Sequence, residues 1–289
     1  MGVRVEITLY APDEVTAAGA ARAAYARYAE LEQIMSDYRP DSELMLLCAR
    51  AGTGPVAVSE ELFLVLSQAL EISELTDGAF DVTASPVVRL WREARRTGEL
   101  PSSADRSAAL RLVGWRNMSL NPRLQTVELA LSGMLLDLGG IAKGYANDEA
   151  LLVLKAHGVT RAMVQAGGDI SVSGPPPGRL GWAVSVRGLP DTLYLSHAAV
   201  STSGDTEQFV EIDGVRYSHI VDPRTGLGVS DRIQATVIAA NGLTSDPLAT
   251  AATIVDPESS RTLARRLGTT LLLTRAKMGP WEREPLPQR

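Results

Sequence analysis

The chain has 289 residues, 45% of them hydrophobic and 21% charged, a balance typical of a folded globular protein rather than a disordered one. Its 28 Lys and Arg residues against 34 Asp and Glu residues give a net charge of −6, which argues against general binding of nucleic acid or anionic membranes. One cysteine and three histidines exclude a disulfide framework and a cysteine-rich metal site. Any metal is therefore expected to be held mainly by oxygen, as Mg²⁺, Ca²⁺ and Mn²⁺ are.

Hydrophobic patterning in the first 115 residues predicts mainly helices. A strand over residues 3–10 alternates apolar and polar side chains, and Asp13 is placed to cap the helix that follows. Gly78 stands where a helix beginning at Ser59 is expected to end. In chain order, the helices predicted here cover residues 13–35, a short segment capped by Asp41 or Ser42, residues 59–78 and residues 103–113.

From residue 117 onward the pattern changes to short strands with fewer helices. Asp213-Gly214, between two alternating segments, predicts a β-hairpin. The predicted elements are strands within 117–136 broken at 121–122, a helix over 141–157, strands over 162–165, 169–173, 182–187, 198–202, 208–212, 215–220 and 232–239, helices over 245–256 and 258–267, and a strand over 269–274. Because no regular βαβ period occurs, we predict an α+β fold with mixed or antiparallel sheets and flanking helices. We expect residues 1–289 to form a single domain made of two intimate subdomains.

The location of the protein is predicted from its apolar segments. No stretch of 18 or more apolar residues occurs, and the N-terminus lacks the charged and apolar regions of a signal peptide. As written, the chain is therefore expected to be cytoplasmic. A chain from which a leader had been trimmed would look the same, so a periplasmic or membrane-anchored location is the alternative.

The segment Asp137-Leu138-Gly139-Gly140 leads from an apolar strand into a glycine pair at the start of a helix. Glycines let a ligand approach the backbone, and free N–H groups at a helix start favour an anion. Lys143, in the first turn of that helix, could then pair with a phosphate or a carboxylate. The alternative is a tight turn with a capping Asp and a solvated Lys, and the spacing of a Walker phosphate loop is absent.

Asp246 and Thr250 are four residues apart, so a helix places their side-chain oxygens on one face. Pro247 suits the first position of a helix, which would make Asp246 the residue that caps it. A carboxylate and a hydroxyl one turn apart can hold a hard cation such as Mg²⁺, with waters and substrate phosphates completing the octahedron. An ordinary capping Asp, with a Thr facing the previous turn, is the alternative.

His219 lies where a strand runs into the turn of residues 222–226. It alone among the three histidines has polar, turn-forming neighbours, which suit a general base. His157, at the end of a helix, and His197, in a strand-like segment, fit structural roles. On spacing alone, a functional and a structural role for His219 are equally open.

These motifs, in this order, resemble those of the ApbE-type FAD:protein FMN transferases. The matching segments span nearly the whole chain and are residues 35–44, 76–83, 137–146, 166–169, 202–205, 219–226 and 245–251. The resemblance implies transfer of FMN from FAD, the substrate, to a Thr or Ser hydroxyl of an acceptor flavoprotein, with release of AMP. The alternatives are an FAD pyrophosphatase using the same site, a non-catalytic flavin-binding protein and a purely structural protein.

By matching position, the resemblance implies three groups of site residues. His219 would be the catalytic base toward the acceptor hydroxyl. Mg²⁺ would be held by the carbonyl of Gly140 and by Asp246 and Thr250. Since these acids face an anionic dinucleotide, Mg²⁺ is expected to be required. The residues implied to contact FAD are Met1, Tyr38, Ala79, Phe80, Asp81, Asp137, Lys143 and Ile220.

Overall fold

The secondary structure comes from a computed structural model that describes residues 3–205, 208–276 and 281–283. Within these residues the α-helices are α1 (Glu14–Met35), α2 (Glu43–Ala49), α3 (Glu60–Leu75), α4 (Ser85–Thr97), α5 (Ser103–Leu110), α6 (Ala142–Ala156), α7 (Gly242–Ala252) and α8 (Pro257–Arg266). The strands are β1 (Val5–Tyr10), β2 (Val56–Ala57), β3 (Met118–Asn121), β4 (Thr126–Leu129), β5 (Arg161–Ala166), β6 (Asp169–Val172), β7 (Trp182–Val184), β8 (Leu193–Leu195), β9 (Ala198–Ser203), β10 (Phe209–Ile212), β11 (Val215–Ser218), β12 (Val221–Asp222), β13 (Leu227–Gly228), β14 (Ile233–Ala239), β15 (Thr270–Ala276) and β16 (Trp281–Arg283).

A sheet in the order β1-β5-β6-β9-β14-β15-β16 forms the centre of the fold, and each neighbouring pair in it is antiparallel. Successive side chains of a strand point to opposite faces of the sheet. Both faces carry apolar side chains, which join two separate clusters. Val164 and Val237 join a core that includes residues of α1, α3, α6 and α7. Ile238 instead packs on the other face, against Val184 of the β7–β8 hairpin. This arrangement confirms the predicted α+β class.

Helix α4 is an element that the patterning did not predict. Its apolar residues Val87, Trp91 and Ala94 are spaced as one helical face and are buried. Trp91 packs against Tyr217 of β11, with 4.9 Å between ring centroids, and its Nε1 donates to the carbonyl of Gly226 at 2.9 Å. The helix is therefore fixed beside the β10–β11 and β12–β13 hairpins.

Residues 130–136, predicted as part of a strand, instead form a turn at residues 132–133 and irregular backbone on either side of it. Gly133 has a φ of +86°, which interrupts an extended strand. The N–H of Leu136 donates to Sγ of Cys48 at 3.3 Å rather than to a neighbouring strand. The preceding strands β3 and β4 do form, as the break at 121–122 predicts.

Helix α7 begins three residues earlier than predicted. Asn241 is its cap, and the Asn241 side chain accepts the N–H of Thr244 at 2.9 Å. Asp246 therefore lies in the second turn and is not an N-cap, and Pro247 lies inside the helix. The prediction of a helix start at Pro247 was wrong because Asn241-Gly242 supplies an earlier and sufficient start signal.

A helix crosses a membrane only if it is both long and apolar. Among the residues that the structure describes, none of the helices combines the length and the apolar character needed to cross one.

Candidate active site

Helices α6 and α7 cross at two glycines, which brings their first turns into backbone contact. A Cβ on Gly144 would overlap the carbonyl group of Gly242, and a Cβ on Gly242 would overlap the backbone of Gly144. The N–H of Gly144 lies 3.3 Å from Oδ2 of Asp246, to which it donates. Because neither glycine carries a side chain, α6 can present Lys143 directly to α7.

Lys143, Asp169 and Asp246 form a group that we call the acidic corner. Nζ of Lys143 lies 3.2 Å from Oδ2 of Asp169 and 3.2 Å from Oδ2 of Asp246. It also donates to the carbonyl oxygen of Gly139 at 2.5 Å. Both carboxylates are buried, at 3% and 2% exposure. Two carboxylates thus share one ammonium, which leaves net negative charge in the corner when all three groups are ionised.

Burial and the charges of neighbouring groups compete in setting the pKa values of the acidic corner. Burial raises the pKa of Asp246, the charge of Asp169 raises it further, and Lys143 opposes both. Burial alone would lower the pKa of Lys143, but the two carboxylates outweigh it and raise that pKa above its usual value. Lys143 therefore stays protonated, and a second cation would relieve the repulsion between the two carboxylates.

Oxygen atoms from other elements surround the same place. Oγ1 of Thr250 would lie 3.1 Å from a Cβ at Gly140, and it lies 3.2 Å from Oγ of Ser203. Within the described residues, no cluster of three His, Cys, Asp or Glu side chains could hold a metal ion by itself. A metal at this place would therefore take part of its ligands from hydroxyl, carbonyl, water or substrate oxygens.

Asp137 is anchored where the chain enters α6. Its Oδ2 accepts from Arg92 at 2.7 Å, and its Oδ1 accepts the N–H of Gly139 at 2.8 Å. Arg92 also donates to Asp37 at 2.5 Å and lies over the ring of Tyr38, 4.7 Å from the centroid. Burial and the charge of Asp37 raise the pKa of Asp137, against the attraction of Arg92. The ring of Tyr38 itself is 70% exposed and accessible to a ligand.

The loop before α4 lies over the glycine pair. Cε2 of Phe80 would be 3.2 Å from a Cβ at Gly140, so the buried ring packs on the glycine backbone. The carboxylate of Asp81 is used within the loop: Oδ1 accepts the N–H of Thr83 at 2.8 Å and its hydroxyl at 2.7 Å. Oδ2 accepts the N–H of Trp115 at 2.9 Å. Asp81 therefore fixes the conformation of the loop that carries Phe80.

His219 follows β11 and is half-buried. Its Nδ1 lies 3.1 Å from the carbonyl oxygen of Gln208. Since a carbonyl oxygen only accepts, Nδ1 carries the proton and Nε2 keeps a lone pair. Burial lowers the pKa of His219 and outweighs this hydrogen bond, and the charges of Arg95 and Lys143 lower it further. His219 is therefore a neutral acceptor near pH 7.

Comparison with known proteins places the chain in a family. The model of the ApbE family matches residues 1–273. This chain belongs to the ApbE family. It is 36% identical over 255 residues to the FAD:protein FMN transferase of Treponema pallidum, which covers 81% of this chain and 70% of that protein. It is similar to the solved structure of the flavin transferase ApbE from Vibrio cholerae, with a TM-score of 0.86 and 28% identity over 98% of this chain and 94% of that one. The ApbE protein from Thermotoga maritima matches over the same shares, with a TM-score of 0.86 and 32% identity.

Most of the site residues expected from the ApbE resemblance lie in one region. Ala79 is buried beside Phe80, and Ile220 is buried beside His219. The ring of Tyr38 lies against the guanidinium of Arg92, which also binds Asp137. Met1 lies outside the described residues. The residues that surround the start of α6 are Phe80, Asp137, Gly140, Lys143, Asp246 and Thr250.

Two acidic residues that the motifs did not assign are part of this geometry. Asp169, at the start of β6, is the second carboxylate on Lys143. Asp148, in α6, accepts the N–H groups of Gly242 and Leu243 at 2.9 Å each, and so caps α7 from the neighbouring helix. The sequence does show a glycine turn followed by Asp169 at one end of a predicted strand. Its contact with Lys143 depends on β6 lying beside α6, which local spacing does not reveal.

Proposed function

We propose that this chain catalyses the Mg²⁺-dependent transfer of FMN from FAD to a Thr or Ser hydroxyl of an acceptor protein, with release of AMP. The observation that carries the proposal is the acidic corner together with a neutral histidine, His219, whose pKa the charge of Lys143 helps to lower, in a chain whose family relatives are named FAD:protein FMN transferase. Attack of an alcohol on a diphosphate needs charge neutralisation and a base. A Mg²⁺ ion held at the acidic corner would supply the neutralisation, and the histidine would supply the base.

The proposed metal ligands are Asp246, Thr250 and the carbonyl of Gly140. This donor set fits Mg²⁺, which takes oxygen ligands, often uses only one or two carboxylates and completes its octahedron with water and substrate phosphates. Two buried carboxylates on one ammonium supply the negative charge that a cation needs. Bound there, the ion would neutralise charge on the diphosphate during transfer. Because few protein ligands are available, we expect FAD and Mg²⁺ each to strengthen the binding of the other.

The proposed FAD contacts use the side-chain groups that the protein leaves exposed or could release to a ligand. The exposed ring of Tyr38 can stack on the isoalloxazine or adenine ring, a contact worth about 0.5–1.5 kcal/mol beyond burial. Lys143 can direct an ammonium proton to the diphosphate once a metal shares its carboxylates. Asp81 would act through its loop, since Thr83 and Trp115 already engage its carboxylate. The remaining proposed contacts are Met1, Ala79, Phe80, Asp137 and Ile220.

His219 is the proposed base. Its Nε2 would take the proton of the acceptor hydroxyl as the hydroxyl oxygen attacks the flavin-side phosphorus of FAD. A phosphorus–oxygen bond forms to the acceptor, and the bond from that phosphorus to the bridging oxygen breaks. The bridging oxygen leaves with AMP, and His219 then returns its proton to solvent. Because burial keeps His219 neutral, this base is available near pH 7.

The proposal is tested by mass spectrometry of an acceptor domain after incubation with the chain, FAD and Mg²⁺. The acceptor is one that an ApbE-family relative modifies in the same assay, so that a negative result is interpretable. We expect one FMN-sized addition on a Thr or Ser and one AMP released per addition, both lost with EDTA. Free FMN and AMP with an unmodified acceptor would instead identify a pyrophosphatase. Bound FAD without AMP would identify a flavin-binding protein.

A further inference from the structure

Ser203, the last residue of β9, faces the proposed metal ligand Thr250. Its Oγ lies 3.2 Å from Oγ1 of Thr250 in α7, a hydrogen bond in which either hydroxyl could donate. Because alternate residues of a strand point to one face of the sheet, Ser201 shares this face, and its Oγ lies 2.8 Å from Oγ of Ser245. Strand β9 therefore contacts α7 through two hydroxyl pairs, one before and one after Asp246 in the helix.

The hydroxyl of Thr250 is held from outside its own helix. A Ser or Thr hydroxyl inside a helix commonly donates to the backbone carbonyl four residues earlier. Ser73 in α3 does so, since its Oγ donates to the carbonyl of Ala69 at 2.8 Å. The corresponding carbonyl for Thr250 is that of Asp246, yet among the described residues the hydroxyl of Thr250 bonds to Ser203 instead. The Thr250 side chain is therefore turned away from its own backbone.

The direction of this hydrogen bond follows from what a metal takes from a hydroxyl. A hydroxyl has one proton and two lone pairs. When Thr250 gives a lone pair to a cation beside Gly140, its proton has to point away from that cation. Oγ of Ser203 is an acceptor at hydrogen-bond distance, and it belongs to a strand of the central sheet. Ser203 can therefore fix the direction in which the lone pairs of Thr250 point.

We propose that Ser203 is a positioning residue for the metal: it accepts the proton of Thr250 Oγ1 and so directs a lone pair of that oxygen to the ion. The inference rests on the proposed function, in which Thr250 is a metal ligand, and it adds a residue outside the proposed ligand set. Because only a few protein atoms are proposed to hold the ion, the direction of each one affects the affinity.

The test measures the binding of Mn²⁺ to Ser203→Ala, at saturating FAD and without acceptor. Mn²⁺ takes oxygen ligands as Mg²⁺ does, so the EPR signal of the free ion gives its dissociation constant and competition gives that of Mg²⁺. Without Ser203 the hydroxyl of Thr250 can rotate, and we expect both ions to bind about tenfold more weakly. Ser203→Thr keeps a hydroxyl at this position and should recover most of the affinity.

Thr202→Val is the matched control. Oγ1 of Thr202 lies 2.9 Å from Oγ1 of Thr236 in the neighbouring strand β14, so this variant removes one hydroxyl pair from the other face of the sheet. Since Ser203→Ala also removes one such pair, the two variants should lower the melting temperature by similar amounts. Thr202→Val should leave both metal dissociation constants unchanged. A difference in metal affinity between the two variants therefore cannot come from stability.

A double variant separates positioning from direct binding. Thr250→Val removes the proposed ligand and should itself weaken the binding of Mn²⁺. Because Ser203 acts through Thr250 in this inference, adding Ser203→Ala to Thr250→Val should cause no further loss. A further loss of the same size would make Ser203 a ligand in its own right and would overturn the inference.

Other results would also overturn the inference. Unchanged metal affinity in Ser203→Ala, with weakened binding in Thr250→Val, would refute the role of Ser203 and leave the proposed metal site intact. Equal losses of metal affinity in Ser203→Ala and Thr202→Val would show a general structural effect. Unchanged affinity in Thr250→Val, or no metal binding by the unsubstituted chain, would instead refute the metal site of the proposed function, and the inference with it.

Discussion

The acidic corner and two other residues of the proposed site, Tyr38 and His219, which we call the open side, differ in how their polar groups are satisfied. In the acidic corner, Lys143 has three oxygen-bearing partners, all supplied by the fold: Gly139 in the turn before α6, Asp169 in β6 and Asp246 in α7. On the open side, Tyr38 is exposed, and His219 has its Nδ1 on the carbonyl oxygen of Gln208, which leaves Nε2 as an acceptor. The first region is organised before any ligand binds, whereas the second is left for the substrate to complete.

This difference predicts two kinds of variant. Substitutions in the acidic corner should change both folding stability and turnover, because the same contacts join α6 to α7 and prepare the proposed metal site. Substitutions on the open side should change turnover or binding with little loss of stability. The five predictions below test this comparison.

Asp246→Asn should have the largest effect on turnover. The amide keeps the volume but removes the carboxylate proposed for Mg²⁺, while Lys143 retains Asp169 as its partner. We expect the rate of FMN transfer to fall by about a thousandfold or more, a loss of about 4 kcal/mol. Initial rates over a Mg²⁺ titration measure this. Asp213→Asn, in the exposed hairpin turn, is the control, and full activity of Asp246→Asn at saturating Mg²⁺ would refute the metal assignment.

His219→Ala tests the open side. Loss of a general base should lower the rate by about 10²–10⁴. The melting temperature should hardly change, since the ring contributes one hydrogen bond, to Gln208. His157→Ala, at the exposed end of α6, is the matched control. A rate unchanged by His219→Ala would exclude His219 as the base.

The same residue predicts the acid side of the pH profile. His219 can act as a base only when it is neutral. Because its pKa is lowered from the ordinary histidine value of 6.5, it is still neutral at pH 6.5. As the pH is lowered, kcat/KM should therefore fall with a midpoint below pH 6.5. This fall at acid pH should be absent in His219→Ala. A midpoint above 6.5 that persists in His219→Ala would show that another group controls the rate.

Gly144→Ala tests the packing of the acidic corner. The added Cβ would overlap the carbonyl group of Gly242, so α6 and α7 must move apart. We expect the free energy of unfolding to fall by about 1–3 kcal/mol, measured by urea denaturation. Gly19→Ala is the control, because nothing lies within 4 Å of its added Cβ in α1, and it should stabilise by about 0.5–1 kcal/mol. Equal stability of the two variants would contradict a close crossing at Gly144.

The sequence predicted those parts of the fold that local signals determine. Asp13 and Ser59 cap α1 and α3 as expected, and Asp213-Gly214 forms the predicted hairpin. The family motifs also predicted that Lys143 and Asp246 belong to one site, and that Thr250 lies beside Gly140, as the structure has them. Each of these features depends on residues within a few positions of one another or on an ordered series of motifs.

The parts that the sequence did not predict depend on contacts between distant elements. Pro247 was taken as the first position of a helix, although α7 begins at Gly242 with Asn241 as its cap, and the proline lies inside the helix. Asp169 meets Lys143 only because β6 lies beside α6. Arg92 could not be singled out as the partner of Asp37 and Asp137, since α4 itself was not predicted.

Asp148→Asn should have the smallest effect. In α6, Oδ1 of Asp148 accepts the N–H of Gly242, and Oδ2 accepts that of Leu243, each at 2.9 Å. An amide has one accepting oxygen, so its NH₂ would face an N–H group, and we expect a loss of about 1 kcal/mol in urea denaturation. Asp256→Asn, at the exposed cap of α8, should lose less because asparagine caps a helix equally well. Equal losses would mean that Asn241 alone holds the first turn of α7, and that the acidic corner does not depend on a cap supplied across the two helices.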